Sequence, residues 1–260
     1  MIFYKTEVEI DKIRKSSLLV GKTLAEVAKC IRPGIKTIEL DRLAEEFIRD
    51  NKAVPAFKGY RGFPATLCVS INDQVVHGIP GNIELKDGDI VSVDCGVLKD
   101  EYYGDSAYTF EVGEVKPEVV MLLKATKESL YKGIATAHSG KRLGDIGYEI
   151  QNHVESLGYS VVRDLVGHGV GRELHEKPEV ANFGKRGSGM KLKEGLVIAI
   201  EPMINLGKYN VIQESDGWTI RTSDRLPSAH FEHTLVVRKN NAEILSSFTE
   251  IEEIISKQYS

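Results

Sequence analysis

Apolar and polar positions in the first half of the chain follow a pattern that predicts two helices and then several strands. Apolar residues recur at helical spacing over 8–31, where Pro33-Gly34 ends the pattern. They recur again over 40–48, with Thr37 as a candidate N-cap. Strand-like runs then follow at about 65–71, 89–97 and 102–110.

The same order of elements returns in the second half of the chain. Pro117 stands at a position that helices favour for their first residue, and 117–137 with 143–157 predict a second helix pair that ends at Gly158. Strand-like runs follow at 159–163, 196–201 and 233–238. Two helices followed by strands, twice over, indicate a duplication.

A short internal repeat supports the duplication. LKDGDIVSVD, which ends at Asp94, aligns without gaps with LKEGLVIAIE, which ends at Glu201. Packing alone gives no reason for the same buried strand to end twice in an acidic residue. We therefore expect one domain, 1–260, in which homologous halves at about 8–112 and 117–240 share a sheet and bring their carboxylates together.

The segment VDCGVLKDEYYGDSAYTF contains two aspartates in an otherwise apolar and aromatic hairpin. With the centre of the turn between Lys99 and Asp100, Asp94 and Asp105 face each other directly across the ladder. Like charges so placed repel, and an apolar environment strengthens the repulsion. Either one aspartate is protonated or a cation lies between the two.

Composition and charge exclude several classes of protein. The chain has 260 residues, 42% of them hydrophobic, so it can bury a full core. Its net charge of −4 provides no general attraction to nucleic acid or anionic lipid. Its amino terminus becomes charged after a few residues and no apolar run is long enough to span a membrane, so we expect a cytoplasmic protein. Three cysteines without CxxC spacing are expected to be reduced thiols.

Three further residues complete a candidate metal site. Glu201 follows a run of apolar residues, Glu232 opens another apolar strand, and His168 lies between two glycines that permit close approach of a metal. Each residue alone has an ordinary structural interpretation. Together with the two aspartates they form a coherent ligand set for two divalent ions. Oxygen-rich ligation with one nitrogen and no thiolate suits Mn²⁺, Fe²⁺, Co²⁺ or Zn²⁺.

Five segments around these residues occur in the order and spacing found in one known family. The segments are HGIPG, VDCGVLKDEYYGDSA, GHGVGRELHEKP, AIEPMIN and SAHFEHTLVV. The chain resembles the bacterial form of the type I methionine aminopeptidases from about residue 5 to 248. The resemblance implies an α+β pita-bread (creatinase/aminopeptidase) fold. In that fold two pseudo-symmetric halves surround one curved, mainly antiparallel sheet, with helices on its outer face.

The resemblance also implies a role for each candidate residue. The metal ligands would be Asp94, Asp105, His168, Glu201 and Glu232, holding two divalent ions per chain. Asp105 and Glu232 would bridge the ions, and a hydroxide between the ions would attack the scissile carbonyl. Glu201 would carry a proton to the leaving amine, while His77 and His175 would contact the substrate.

Methionine specificity requires an apolar, polarisable cleft one residue deep. By the same resemblance its walls are Tyr60, Phe63, Cys68, Leu174, Met203 and Trp218. Phe57 is expected near the rim. Phe57 and Leu174 depart from the residues common in the family, which affects the shape of the pocket. We expect a preference for small second residues in the substrate.

Two other functions fit parts of the pattern. An Xaa-Pro aminopeptidase or dipeptidase of the same fold would use a similar ligand set, but it would generally carry an additional amino-terminal domain. A non-catalytic pita-bread protein that binds ribosomes or regulators would typically lack ligands. The expected partners are nascent polypeptide amino termini and, transiently, the ribosome. No specific nucleic acid or membrane is expected as a partner, and the family resemblance favours a monomer.

Overall fold

Pairs of helices alternate with groups of strands along the computed structural model, which describes residues 1–258. The helices are α1 (Glu7–Ala28), α2 (Thr37–Asp50), α3 (Pro117–Thr136), α4 (Leu143–Ser156) and α5 (Thr249–Gln258). Within this part of the chain, no helix combines the length and the hydrophobicity that crossing a membrane requires.

The strands are short apart from two long ones in the first half. They are β1 (Val54–Pro55), β2 (Leu67–Ile71), β3 (Gln74–Val76), β4 (Ile90–Lys99), β5 (Tyr102–Glu111), β6 (Ser160–Val161), β7 (Gly167–Gly169), β8 (Glu176–Val180), β9 (Val197–Ile200), β10 (Met203–Asn205), β11 (Val211–Gln213), β12 (Ile220–Thr222), β13 (Ser228–His230), β14 (His233–Val237) and β15 (Ala242–Ile244). The predicted strands correspond to β2, β4, β5, β6, β9 and β14, with shifted ends. The other strands are mostly too short to produce a recognisable alternating pattern.

The two amino-terminal helices begin differently. Thr6 opens α1 with a capping box, in which the Glu9 N–H donates to the Thr6 hydroxyl and the Thr6 N–H donates to the Glu9 carboxylate. In α2, Lys36 is the N-cap and Thr37 is the first helical residue, so the predicted N-cap was wrong by one position. The Thr37 hydroxyl is unavailable for capping because it donates to the Gly81 carbonyl and accepts the Gly81 N–H.

The strands form antiparallel ladders in four hydrogen-bonded groups. The two larger groups are β1-β4-β2, with β5 on β4, and β15-β14-β9-β7-β8. They meet where β5 passes the start of β14. There the Glu232 N–H donates to the Ala107 carbonyl at 3.0 Å, and the Thr234 hydroxyl donates to the Asp105 carbonyl at 2.7 Å. This junction brings acidic residues of both halves of the chain into one region.

The turn of the β4–β5 hairpin differs from the prediction. Asp100 and Glu101 form a two-residue turn with φ of 50° and 71°, and Lys99 pairs with Tyr102. Positive φ at both central residues is typical of the tight turns that match the twist of a hairpin. The centre of the turn therefore lies one position later than expected.

This turn changes the register of the two aspartates. Asp94 pairs with Ala107, and Asp105 pairs with Gly96, so the prediction that the two aspartates are directly opposite was wrong. The shift equals two residues along one strand, and side chains two residues apart point to the same face of a sheet. The two carboxylates are therefore diagonal neighbours on one face.

One large hydrophobic core contains residues of both halves of the chain. Leu24 and Leu40 on the first helix pair and Ile146 and Ile150 on the second are all buried in it. Helix α1 also packs closely on β5, because a Cβ atom added at Gly104 would lie 2.3 Å from the Ser17 backbone nitrogen.

A buried ion pair connects the amino-terminal segment to the turn between β7 and β8. Lys5 Nζ lies 2.7 Å from Glu176 Oε2, with side-chain exposures of 5% and 6%. The other Glu176 oxygen accepts the Arg172 backbone N–H at 2.8 Å. The ion pair thereby holds the turn that carries Leu174 and His175.

The helix–strand contact at Gly104 can be tested by adding one methyl group. We expect Gly104→Ala to lower the free energy of unfolding by about 1–3 kcal/mol, because the Cβ overlaps the α1 backbone. Gly81→Ala is the control, since a Cβ there meets no atom within 4 Å. Urea denaturation measures both variants, and equal stabilities would contradict the close contact.

The Lys5–Glu176 pair can be tested by removing one charge and then both. Lys5→Met leaves a buried carboxylate unpaired, and we expect a loss of about 3–5 kcal/mol in the free energy of unfolding. Adding Glu176→Gln removes the unpaired charge and keeps an acceptor for Arg172, so the double variant should regain part of that loss. If the loss in the double variant equals the sum of the losses in Lys5→Met and Glu176→Gln alone, the two residues are not coupled.

Candidate active site

The five predicted metal ligands converge on one cavity of about 530 Å³, although they are dispersed along the chain. β4 carries Asp94, β5 carries Asp105 and β7 carries His168. Glu201 follows β9, and Glu232 lies between β13 and β14. The junction of the two larger sheets is what brings these strands together.

The ligand atoms of Asp105, His168 and Glu232 lie within 4.8 Å of one another. His168 Nε2 is 3.8 Å from Asp105 Oδ2 and 3.5 Å from Glu201 Oε1. Its other ring nitrogen, Nδ1, lies 3.0 Å from the Gly169 carbonyl oxygen. Because a carbonyl oxygen only accepts, Nδ1 carries the proton and Nε2 presents its lone pair to the carboxylates. Metal-binding histidines have this arrangement.

The glycines beside His168 are required by the sheet. A Cβ at Gly167 would lie 2.4 Å from the Ala199 carbonyl oxygen, and one at Gly169 would lie 2.5 Å from the Lys177 carbonyl oxygen. Strand β7 therefore fits between β8 and β9 only with glycine at both positions. The GHG sequence places an imidazole at a point where the neighbouring backbones are in close contact.

The electrostatics of the four carboxyl groups in the cavity fit a cation site. Burial raises the pKa of Asp94 to about 7. Burial also raises the pKa of Asp105, as do the charges of Glu232 and Asp94. The pKa values of Glu201 and Glu232 are raised by burial first and then by neighbouring carboxylates.

Three of these side chains also have a buried oxygen without a hydrogen-bond partner among the described residues. The atoms are Asp94 Oδ1, Asp105 Oδ1 and Glu232 Oε1. Buried carboxylates that lack partners are costly, and divalent cations bind such oxygens. The residues present therefore fit a metal centre.

Two other predicted histidines border the same cavity. The His175 and His168 ring centroids are 4.2 Å apart, and His175 Nδ1 lies 2.8 Å from the Tyr60 hydroxyl. His77 follows β3 with φ of 59°, which is uncommon for a residue with a side chain, and it lies edge-on to Trp218. Desolvation lowers the pKa of both histidines, and His168 lowers that of His175 further. Both imidazoles are neutral near pH 7.

All of the predicted pocket residues line this cavity. They are Phe57, Tyr60, Phe63, Cys68, Leu174, Met203 and Trp218. Phe63 and Trp218 form an edge-to-face pair with ring centroids 5.1 Å apart. Phe57, expected near the rim, is buried and packs over Gly96, where a Cβ would lie 2.5 Å from its ring. The cavity thus has an aromatic, apolar wall next to the acidic cluster.

His230 also borders the site, although the sequence did not predict it. Its ring is buried, and Nε2 lies 3.8 Å from Glu201 Oε2. Burial, and then His77, lower the pKa of His230 to about 3. One signal was available, because residues 230 and 232 are two apart in an extended segment and therefore point to the same side.

The chain is similar in sequence to methionine aminopeptidases over nearly its whole length. The methionine aminopeptidase of Clostridium perfringens is 54% identical over 246 residues, which is 95% of this chain and 99% of that protein. Methionine aminopeptidase 1 of Bacillus subtilis is 47% identical over 246 residues, with the same coverage of both chains.

Solved structures extend the similarity to the fold. The methionine aminopeptidase of Rickettsia prowazekii has a TM-score of 0.94 at 43% identity, covering 95% of this chain and 100% of that chain. The prolidase of Pyrococcus furiosus has a TM-score of 0.77 at 24% identity, covering 94% of this chain and 65% of that chain, and shows the fold alone. The predicted pita-bread fold is confirmed.

The sequence model of metallopeptidase family M24 matches residues 11–239. This range contains every predicted metal ligand and also His77 and His175. The chain therefore belongs to metallopeptidase family M24 and, within it, to the methionine aminopeptidases.

Proposed function

We propose that the protein removes amino-terminal methionine from peptides and nascent proteins in a reaction that depends on divalent metal ions. One observation carries the proposal: a buried cluster of carboxylates and histidine shares a cavity with an apolar, aromatic wall. The cluster is suited to hydrolysis of a peptide bond, and the wall is suited to an unbranched, sulfur-containing side chain.

Asp94, Asp105, His168, Glu201 and Glu232 would hold two divalent ions. The unpartnered buried oxygens and the free lone pair of His168 Nε2 support this assignment. The oxygen-rich set suits Mn²⁺, Fe²⁺, Co²⁺ or Zn²⁺. When bound, such ions supply Lewis acidity, which polarises a carbonyl group and lowers the pKa of water.

Glu201 is the proposed proton carrier. Its carboxyl group lines the cavity, and burial raises its pKa, which makes its charged form a stronger base. It can therefore take a proton from the attacking water and deliver it to the leaving amine. Glu201 Oε1 lies 3.5 Å from His168 Nε2, which places the carboxyl group among the proposed metal ligands.

His77 and His175 are the proposed donors to the substrate. As neutral imidazoles each has one N–H to donate to the scissile carbonyl or to the oxyanion that develops from it. The Tyr60 hydroxyl can donate to His175 Nδ1, and the ring proton then lies on Nε2, where it can be donated to the substrate. The buried Lys5–Glu176 pair fixes the turn that carries His175.

The methionine side chain would lie against the aromatic and apolar wall of the cavity. Its lining residues are Tyr60, Phe63, Cys68, Leu174, Met203 and Trp218. A thioether makes favourable contacts with aromatic rings, which favours methionine over other unbranched side chains. We expect small second residues such as Ala, Gly or Ser to be preferred.

We also propose that one catalytic domain, built from repeats at about 8–112 and 117–240, acts in the cytoplasm as a monomer. Nascent amino termini would be its substrates, and its contact with the ribosome would be transient. The hydrophobic core shared by both halves supports the single domain. An Xaa-Pro peptidase is the second candidate, because a prolidase shares the fold.

The two candidates predict release of different amino acids. After removal of metal with a chelator and addition of Mn²⁺ or Co²⁺, we expect methionine from Met-Ala-Ser and no alanine from Ala-Pro-Ser. Without metal, or in Glu201→Gln, the rate should fall by about 100-fold or more. His153→Gln, a surface histidine, is the matched control. Alanine release would support the Xaa-Pro peptidase, and inactivity on both peptides with metal bound would support a binding protein.

The raised pKa values predict how the stability of the metal-free protein depends on pH. The pKa of Asp94 is about 7 in the folded state and 3.8 in the reference state, so its charged form destabilises the fold. This destabilisation is absent below the lower value and complete above the higher one. We expect metal-free protein to unfold at a lower temperature at pH 8 than at pH 6, and Mn²⁺ to reduce the difference. Asp94→Asn should also reduce it, and an unchanged difference in both experiments would contradict the prediction.

A further inference from the structure

His230 is a buried histidine whose ring has no hydrogen-bond partner among the described residues. Its exposure is 1%, and both Nδ1 and Nε2 are buried and unpartnered. Buried polar side chains in native proteins are nearly always hydrogen-bonded, so each exception requires an explanation. A neutral imidazole has one N–H, and that N–H needs an acceptor.

The backbone of His230 is held firmly in the sheet. Its N–H donates to the Thr109 hydroxyl at 2.9 Å, and the same hydroxyl donates to its carbonyl at 2.7 Å. On the other side, β13 pairs His230 with Met203 of β10. These contacts keep the ring directed into the protein, so it cannot satisfy its nitrogens with bulk water.

Glu201 is the charged acceptor beside this ring. His230 Nε2 lies 3.8 Å from Glu201 Oε2, while the other oxygen, Oε1, lies 3.5 Å from His168 Nε2. His168 cannot donate from that nitrogen, since its proton is on Nδ1. Of the two imidazoles that flank the carboxylate, only His230 can donate a hydrogen bond to it while both are neutral.

We propose that His230 is a positioning residue that donates Nε2–H to Glu201 Oε2 and sets the orientation of this carboxylate. A movement of about 1 Å closes the observed separation to hydrogen-bond length. The bond fixes one oxygen of Glu201 and leaves the other directed toward the metal ligands. The inference rests on the proposed role of Glu201 as the proton carrier.

Loss of this bond should affect the chemical step more than substrate binding. His230 lies behind the cavity, next to Met203, and acts on the substrate only through Glu201. A carboxylate free to rotate spends less time aligned with the water and the leaving amine. We therefore expect kcat to fall while KM and the number of bound metal ions stay the same.

Two substitutions separate hydrogen bonding from packing. His230→Leu keeps a similar volume but removes the donor, and His230→Gln restores an N–H donor. With Co²⁺ and Met-Ala-Ser, we expect kcat of the leucine variant to fall on the order of tenfold or more, with KM within about threefold. The glutamine variant should recover to within about threefold of the wild-type kcat. His153→Leu on α4 is the matched control and should leave both constants unchanged.

A measurement on metal-free protein tests the same bond without activity. In ¹⁵N-labelled protein, the His230 ring N–H should give a slowly exchanging signal that shifts in Glu201→Ala. Calorimetry with Co²⁺ should give the same stoichiometry for the wild type and His230→Gln. An N–H signal that is insensitive to Glu201→Ala overturns the proposal, even if His230→Leu proves too unstable to assay.

The kinetic outcomes are equally decisive. A kcat within twofold of wild type in His230→Leu, or equal losses in the leucine and glutamine variants, overturns the positioning role. If the wild-type protein releases no methionine, the proposed function fails. The N–H signal then still reports on the contact between His230 and Glu201.

Discussion

Mutual repulsion among buried carboxylates is the constraint on which the rest of the structure depends. Asp94, Asp105, Glu201 and Glu232 are withdrawn from water and held close together, and three of them have a buried oxygen without a partner among the described residues. Such a cluster is costly in the absence of cations. Only a rigid framework can hold it together, and the functional chemistry follows from that enforced proximity.

The framework is the junction of the two larger antiparallel sheets. Backbone hydrogen bonds between the Glu232 and Ala107 segments, and the Thr234 hydroxyl on the Asp105 carbonyl, join the two halves at the cluster itself. Close contacts of β7 with its neighbours then insert His168 among the acids. Around this centre, the Lys5–Glu176 pair and the Tyr60–His175 contact hold the residues proposed to contact the substrate.

The predicted site residues lie in one cavity, whereas the predicted hairpin register was wrong. An acidic residue at the end of an apolar strand is visible in the sequence, because its chemistry conflicts with its neighbours. The register of β4 and β5 depends on the φ angles of Asp100 and Glu101, and several turns are compatible with the same polar residues. Because the register shift equals two residues, both aspartates still point to one face of the sheet. The error in register therefore did not affect the predicted cluster.

The sequence by itself determined the candidate site residues, the helix pairs and the longer strands, since apolar periodicity, the repeat and the family segments are local properties. The tertiary structure alone decided the distances within the cluster, the burial of Phe57 and the contact of His230 with Glu201. It also decided the pairing of Lys5 with Glu176. These features depend on contacts between residues far apart in the chain, and the periodicity of a single segment contains no information about them.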